Sequence, residues 1–197
     1  MAASQKRGSV RLTQWILIVL AAAAALGGVA FPAVASGATR ANTGSLGSVV
    51  SLAGDNNSSV CAVLSSHKIE CWGYNGNGQL GNGTTSSSDI PVTVHGITNA
   101  KAVAGDVSGG SFCAVLTTGQ LKCWGYNGYG ELGNGTTTGF TVPVSVKNIS
   151  TATAVFGGGN GFCALLSSKH LSCWGYGGTG QLGNGSFNSS DVPVPVS

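Results

Sequence analysis

One phrase of 23 residues occurs three times in this chain, and it limits the fold more than any other feature. Residues 61–83 read CAVLSSHKIECWGYNGNGQLGNG, residues 113–135 read CAVLTTGQLKCWGYNGYGELGNG, and residues 163–185 read CALLSSKHLSCWGYGGTGQLGNG. Trp72, Trp124 and Trp174 mark a period of 52 and then 50 residues. A period of that length, rich in glycine and short apolar runs, implies small sheets stacked side by side or set around an axis.

The first half of each phrase is a hairpin. Pairing Cys113 with Cys123 also pairs Val115 with Leu121 on one face and Ala114 with Lys122 on the other. Leu116 then meets Gln120, and Thr117-Thr118-Gly119 is the turn, with glycine where a left-handed residue is needed. The same register sets Val63 against Ile69 and Leu165 against Leu171. Those two turns lack the glycine, so a strained or different shape is expected there. Six cysteines in three pairs, each ten apart, predict three local disulfides: Cys61–Cys71, Cys113–Cys123 and Cys163–Cys173. Zinc is not expected, because its usual CxxC spacing is missing.

Trp72, Trp124 and Trp174 point to the face opposite the cysteines and read as packing residues between neighbouring sheets. The glycine- and asparagine-rich stretches that follow cannot make a strong helix or strand. Leu80, Leu132 and Leu182 are their expected plugs. Alternating valines around a proline at 89–94, 141–146 and 191–196 predict strands, the proline marking an edge or a strand start. A further strand is expected at 49–53, 100–104 and 152–156. The fold class is therefore all-β: four-stranded blades of the β-propeller type, about three of them, over 49–197.

Residues 1–35 read differently. Lys6, Arg7 and Arg11 precede an apolar run at 15–30, then Pro32 and the small residues Ala33-Val34-Ala35. This is the pattern of a secretory signal helix, with an uncleaved membrane anchor as the alternative and 36–48 as a short linker. Without the signal, six basic residues (Arg40, Lys68, Lys101, Lys122, Lys147, Lys169) balance six acids, so the +3 formal charge of the whole chain is a targeting feature. No basic run remains to track phosphate, and nucleic acid is not an expected partner.

The stretch Cys-Ala-Val/Leu-Leu … Cys-Trp-Gly-Tyr-Asn/Gly-x-x-Gly-Gln/Glu-Leu-Gly-Asn-Gly resembles the repeat of the regulator of chromosome condensation family. The resemblance covers about 49–196 and implies a β-propeller, seven-bladed in the founding member. The cysteines look like those of an exported bacterial branch, in which the propeller is a protein-binding surface. The founding member's exchange activity on a small GTPase is not carried over, because nothing here matches its particular loops and tails.

The resulting expectation is a non-enzymatic, secreted or cell-surface protein-binding module without cofactor or metal. Asn75, Asn77, Asn127, Tyr129, Thr179, Phe140 and Phe187 are the candidate contact residues, because their loops vary while the frame repeats. Aromatic residues are enriched at binding hot spots. A carbohydrate or cell-wall module is the alternative, with Tyr74, Tyr126 and Tyr176 as stacking platforms. Three repeats also leave open a homodimer that closes a ring, or a fragment of a longer propeller. No Ser, His and Asp set recurs at useful spacing, which argues against an enzyme.

Overall fold

The computed structural model describes residues 46–197, and every element among them is a β-strand. The expected signal helix at 1–35 lies outside the described residues. So does all but the end of the linker.

Three antiparallel meanders carry the chain. The first sheet runs β1 (Val49–Gly54), β2 (Ser59–Leu64), β3 (Ile69–Gly73), β4 (Ser88–Thr93). The second runs β5 (Ala100–Gly105), β6 (Ser111–Leu116), β7 (Leu121–Gly125), β8 (Phe140–Ser145). The third runs β9 (Ala152–Gly158), β10 (Gly161–Leu166), β11 (Leu171–Gly175), β12 (Ser190–Pro195). β5 lies against both β1 and β9, so the first strands of the sheets form the inner layer. Pro91, Pro143 and Pro193 fall in β4, β8 and β12, the outermost strands, where no further strand needs their missing N–H.

The hairpin register is the expected one in all three sheets: Cys61 opposes Cys71, Cys113 opposes Cys123, and Cys163 opposes Cys173. Each pair is disulfide-bonded. A cross-link over so short a loop is worth about 2–3 kcal/mol. The turns differ less than the sequence implies. Gly119 has φ 82°, and His67 and Lys169 adopt the same left-handed conformation at 61° and 69°. All three turns keep one shape, and two of them bear the cost of a side chain at positive φ. His67 offsets part of it with a hydrogen bond between Nδ1 and the Ala100 carbonyl of the next sheet, at 2.9 Å.

The glycine after each tryptophan has a different reason. Gly73, Gly125 and Gly175 have φ near 104°, and a Cβ there would collide with the carbonyl of Ser58, Gly110 or Asn160. The ladder to the outer strand shifts register at this glycine in every sheet. That irregularity turns the chain out of the hairpin and into the glycine-rich loop.

Apolar cores form between sheets. One gathers Val63, Ile69 and Leu80 of the first repeat against Val103, Phe112 and Trp124 of the second. The other gathers Val115, Leu121 and Leu132 against Phe162 and Trp174. The middle sheet thus lends one face to the sheet before it and the other to the sheet after it. The blades follow the all-β, three-blade expectation.

Candidate functional site

A meander places its β1–β2 and β3–β4 connections at one end and its β2–β3 turn at the other. All the variable loops therefore share one rim. On this rim a cleft of about 400 Å³ opens between the sheets, lined by Asn56, Asn57, Asn77, Tyr126, Tyr129 and Asn160. A shallower groove of about 320 Å³ continues from it past Asn77 and Tyr126 to Thr85, Thr137 and Thr141. The lining is rich in carboxamides and tyrosine rings, which offer donors, acceptors and flat apolar surface together.

Buried polar side chains shape this rim. Asp106, fully buried at the end of β5, accepts the N–H of Ser108 at 3.0 Å and of Asn160, from the next sheet, at 2.9 Å. Its Oδ2 accepts from Ser111 Oγ at 3.4 Å. Burial pushes its carboxyl above the usual value of 3.8, against the lowering effect of those bonds. Asp55 holds the equivalent loop of the first sheet through the N–H groups of Asn57 and Ser59. Asp106 thus ties the cleft wall of one blade to that of the next.

Gln79 and Glu131 take equivalent places in the glycine-rich loops. Gln79 Oε1 accepts the N–H of Asn77 at 2.9 Å, and Glu131 Oε2 accepts that of Tyr129 at 2.8 Å. Their other polar atoms, Gln79 Nε2 and Glu131 Oε1, are buried without a hydrogen-bond partner. Burial raises the Glu131 carboxyl above its usual 4.5, and the nearby Asp106 carboxyl raises it further. A raised acid favours the fold fully below about pH 4.5, and that contribution is lost as pH climbs through the raised value. Glu131→Gln, which installs the residue already present at position 79, is therefore expected to raise Tm at pH 8. The gain should shrink as the pH falls towards 4. Thermal unfolding across that range checks it, and a lower Tm at pH 8 would contradict the buried-charge account.

The predicted contact residues divide into two groups. Asn75 and Asn127 are buried framework. The Asn75 Nδ2 donates to the carbonyls of Thr84 and Ser86, and its Oδ1 accepts from the Leu80 N–H at 2.9 Å. Asn127 repeats this with Thr136, Thr138 and Leu132. The plugs Leu80, Leu132 and Leu182 are buried. Phe140 is half-buried, beginning β8 and packing on the second core. Asn77, Tyr129, Thr179 and Phe187 are exposed, and of these Asn77 and Tyr129 line the cleft. Tyr129 meets Tyr176 edge-on with ring centres 5.0 Å apart. Trp124 and Trp174 are buried between sheets, whereas Trp72 is half-buried.

Asp106, Gln79, Glu131 and Asn160 were not among the expected site residues. Asp55 and Asp106 recur just after the inner strand, a signal that points to them in hindsight. Among the described residues no group of three or more His, Cys, Asp or Glu is placed to hold a metal ion.

Fold and rim together define a repeat module built of propeller-type blades with a polar cleft on one rim. The profile of the Regulator of chromosome condensation (RCC1) repeat matches residues 71–116 and 118–165. The chain is 31% identical to the human E3 ubiquitin-protein ligase HERC2 over 98 residues, 48% of this chain and 2% of that protein. It is 34% identical to the Ultraviolet-B receptor UVR8 of Arabidopsis thaliana over 85 residues, 43% of this chain and 19% of that protein. Yeast RCC1 (Prp20), solved bound to Kap60, shares the fold with a TM-score of 0.66 at 19% identity, over 76% of this chain and 37% of that one. The chain thus spans under two-fifths of each of these proteins.

Two expectations are corrected by these relatives. The bacterial assignment fails, because the matching proteins are human, plant and yeast. The secreted or cell-surface location fails with it, because these relatives are nuclear or cytoplasmic proteins. The physical reason is that the repeat is a packing solution, indifferent to compartment. Cysteine pairs across a hairpin record proximity and do not by themselves place a protein.

Proposed function

We propose that this chain is a protein-binding module that receives a partner in the cleft on its loop rim. The observation that carries the reading is the cleft itself, where exposed Tyr129 and Asn77 project beside the carboxamides of Asn56, Asn57 and Asn160. An aromatic ring amid fixed donors and acceptors is the usual make-up of an interface centre. The binding of Kap60 by yeast RCC1 (Prp20) supports the same use for a fold of this kind. A carbohydrate is the second reading, favoured by Tyr126 and Tyr129 flanking the amides of one polar cleft.

Binding should depend on the rim and not on the opposite end. Tyr129→Ala and Asn77→Ala are expected to abolish cross-linked capture of the partner while leaving the melting temperature unchanged. Thr118→Ala, on the far turn, should capture normally. Equal capture by all three would overturn the reading. Binding to a glycan array that Tyr129→Ala loses, with no protein captured, would favour the carbohydrate.

A further inference from the structure

Two junctions inside the chain are built to one pattern. At each, the glycine-rich loop of one sheet receives the tryptophan of the next. Trp124 Nε1–H donates to the Gln79 carbonyl at 2.8 Å, and Trp174 Nε1–H to the Glu131 carbonyl at 2.8 Å. Beside them, Gly83 N–H donates to the Thr141 carbonyl at 2.9 Å, and Gly135 N–H to that of Asp191 at 2.8 Å. Ile69 and Leu121 seal the trailing faces and are fully covered. On the receiving side of the first junction, Val103 is covered as well.

The two outer faces carry the same pattern, open on the third sheet and only partly covered on the first. On the third sheet Leu171, the counterpart of Ile69 and Leu121, is 43% exposed, and Phe156 is 71% exposed. Gln181, the counterpart of Gln79 and Glu131, is exposed, and the space over Gly185 is open. On the first sheet Leu52, the counterpart of Val103, is 63% exposed. Trp72 is half-buried there, and its indole N–H has no acceptor among the described residues. Ala62 and Leu64 beside it are covered.

We propose that a second copy of this chain docks head-to-tail, its first sheet on the third sheet of its neighbour. Trp72 then donates to the Gln181 carbonyl across the contact, and Leu52 packs beside Leu171. The argument is continuity: each outer face has its complement in the same chain, and the joint between them is built twice within it. The ring of Phe187, which rests over Gly180 where the other junctions place Thr141 and Asp191, swings aside on docking. The contact is heterologous, with different patches on the two copies, so two copies satisfy both faces only by closing a ring.

Because the patches differ, complementation tests the proposal. Leu171→Arg and Leu52→Arg both alter exposed positions and are expected to fold, with unchanged circular dichroism. The full chain should sediment as a dimer across a wide concentration range, and each variant alone as a monomer. Mixing the two variants should restore a one-to-one dimer, because one intact pair of faces remains. A monomeric full chain would overturn the proposal. So would a variant mixture that stays monomeric, or an oligomer that survives either substitution.

Discussion

Gly157→Ala is expected to destabilise the fold by about 3 kcal/mol, the upper end of the usual cost of overpacking. Gly54, Gly105 and Gly157 occupy equivalent places near the ends of the inner strands, opposite Val60, Phe112 and Phe162. The inner strands approach backbone to backbone. A Cβ on Gly157 would collide with the Gly105 carbonyl and lie 3.1 Å from the Asp106 nitrogen. A Cβ on Gly105 would strike the Gly54 carbonyl in the same way. Neither neighbour is a side chain that can rotate, and the Asp106 N–H is engaged with the Ser111 carbonyl at 2.9 Å. The only relief is to part the blades, which opens the core around Phe162 and Trp174. Gly159→Ala is the control: its nearest neighbour, Ser108 Oγ, would sit at an ordinary 3.6 Å. Urea denaturation should lower the midpoint for Gly157→Ala with little change in slope, and leave the control near wild type. A loss below about 0.5 kcal/mol at position 157, the range of a neutral surface substitution, would mean that the inner strands are not held at this separation.

Trp124→Ala should cost about 3–5 kcal/mol, as expected for a fully buried indole. The ring stacks on Phe112 with centres 6.2 Å apart and fills the first core. Its loss also leaves the Gln79 carbonyl unpaired in a buried setting, a further penalty within that range. Trp72→Ala alters the same position of the first repeat, where the indole is half-buried and has no acceptor among the described residues. In the monomer it should cost markedly less. Denaturation midpoints of the two variants, measured in a background that cannot self-associate, test this directly. Equal losses would refute the view that the tryptophan stabilises through the preceding blade's loop.

The hairpins were the most legible part of the sequence. Cysteine spacing, facing apolar partners and Gly119 all require one register, and a one-residue slip would turn every apolar side chain outward. The rim was less legible. Asn75 and Asn77 look alike in sequence, yet one is buried framework and the other lines the cleft. Only the paths of the flanking loops separate them. Glu131 is the plainest case: nothing in its local sequence marks it for burial, whereas the fold buries it beside a neighbouring blade. The turns at His67 and Lys169 went the other way, because sheet geometry imposed a glycine-like conformation on residues that disfavour it.

The sequence alone determined the strand order, the cysteine pairing and the blade period, because hydrogen-bonded hairpins are set by neighbours close along the chain. The tertiary structure decided which polar residues are buried, which loops share a rim and where the cleft opens. Those depend on contacts between repeats some 50 residues apart, such as the Asp106 carboxylate on the Asn160 N–H and the Trp174 indole on the Glu131 carbonyl. The same long-range geometry leaves Trp72 and Leu171, alike in sequence to their buried counterparts, facing outward.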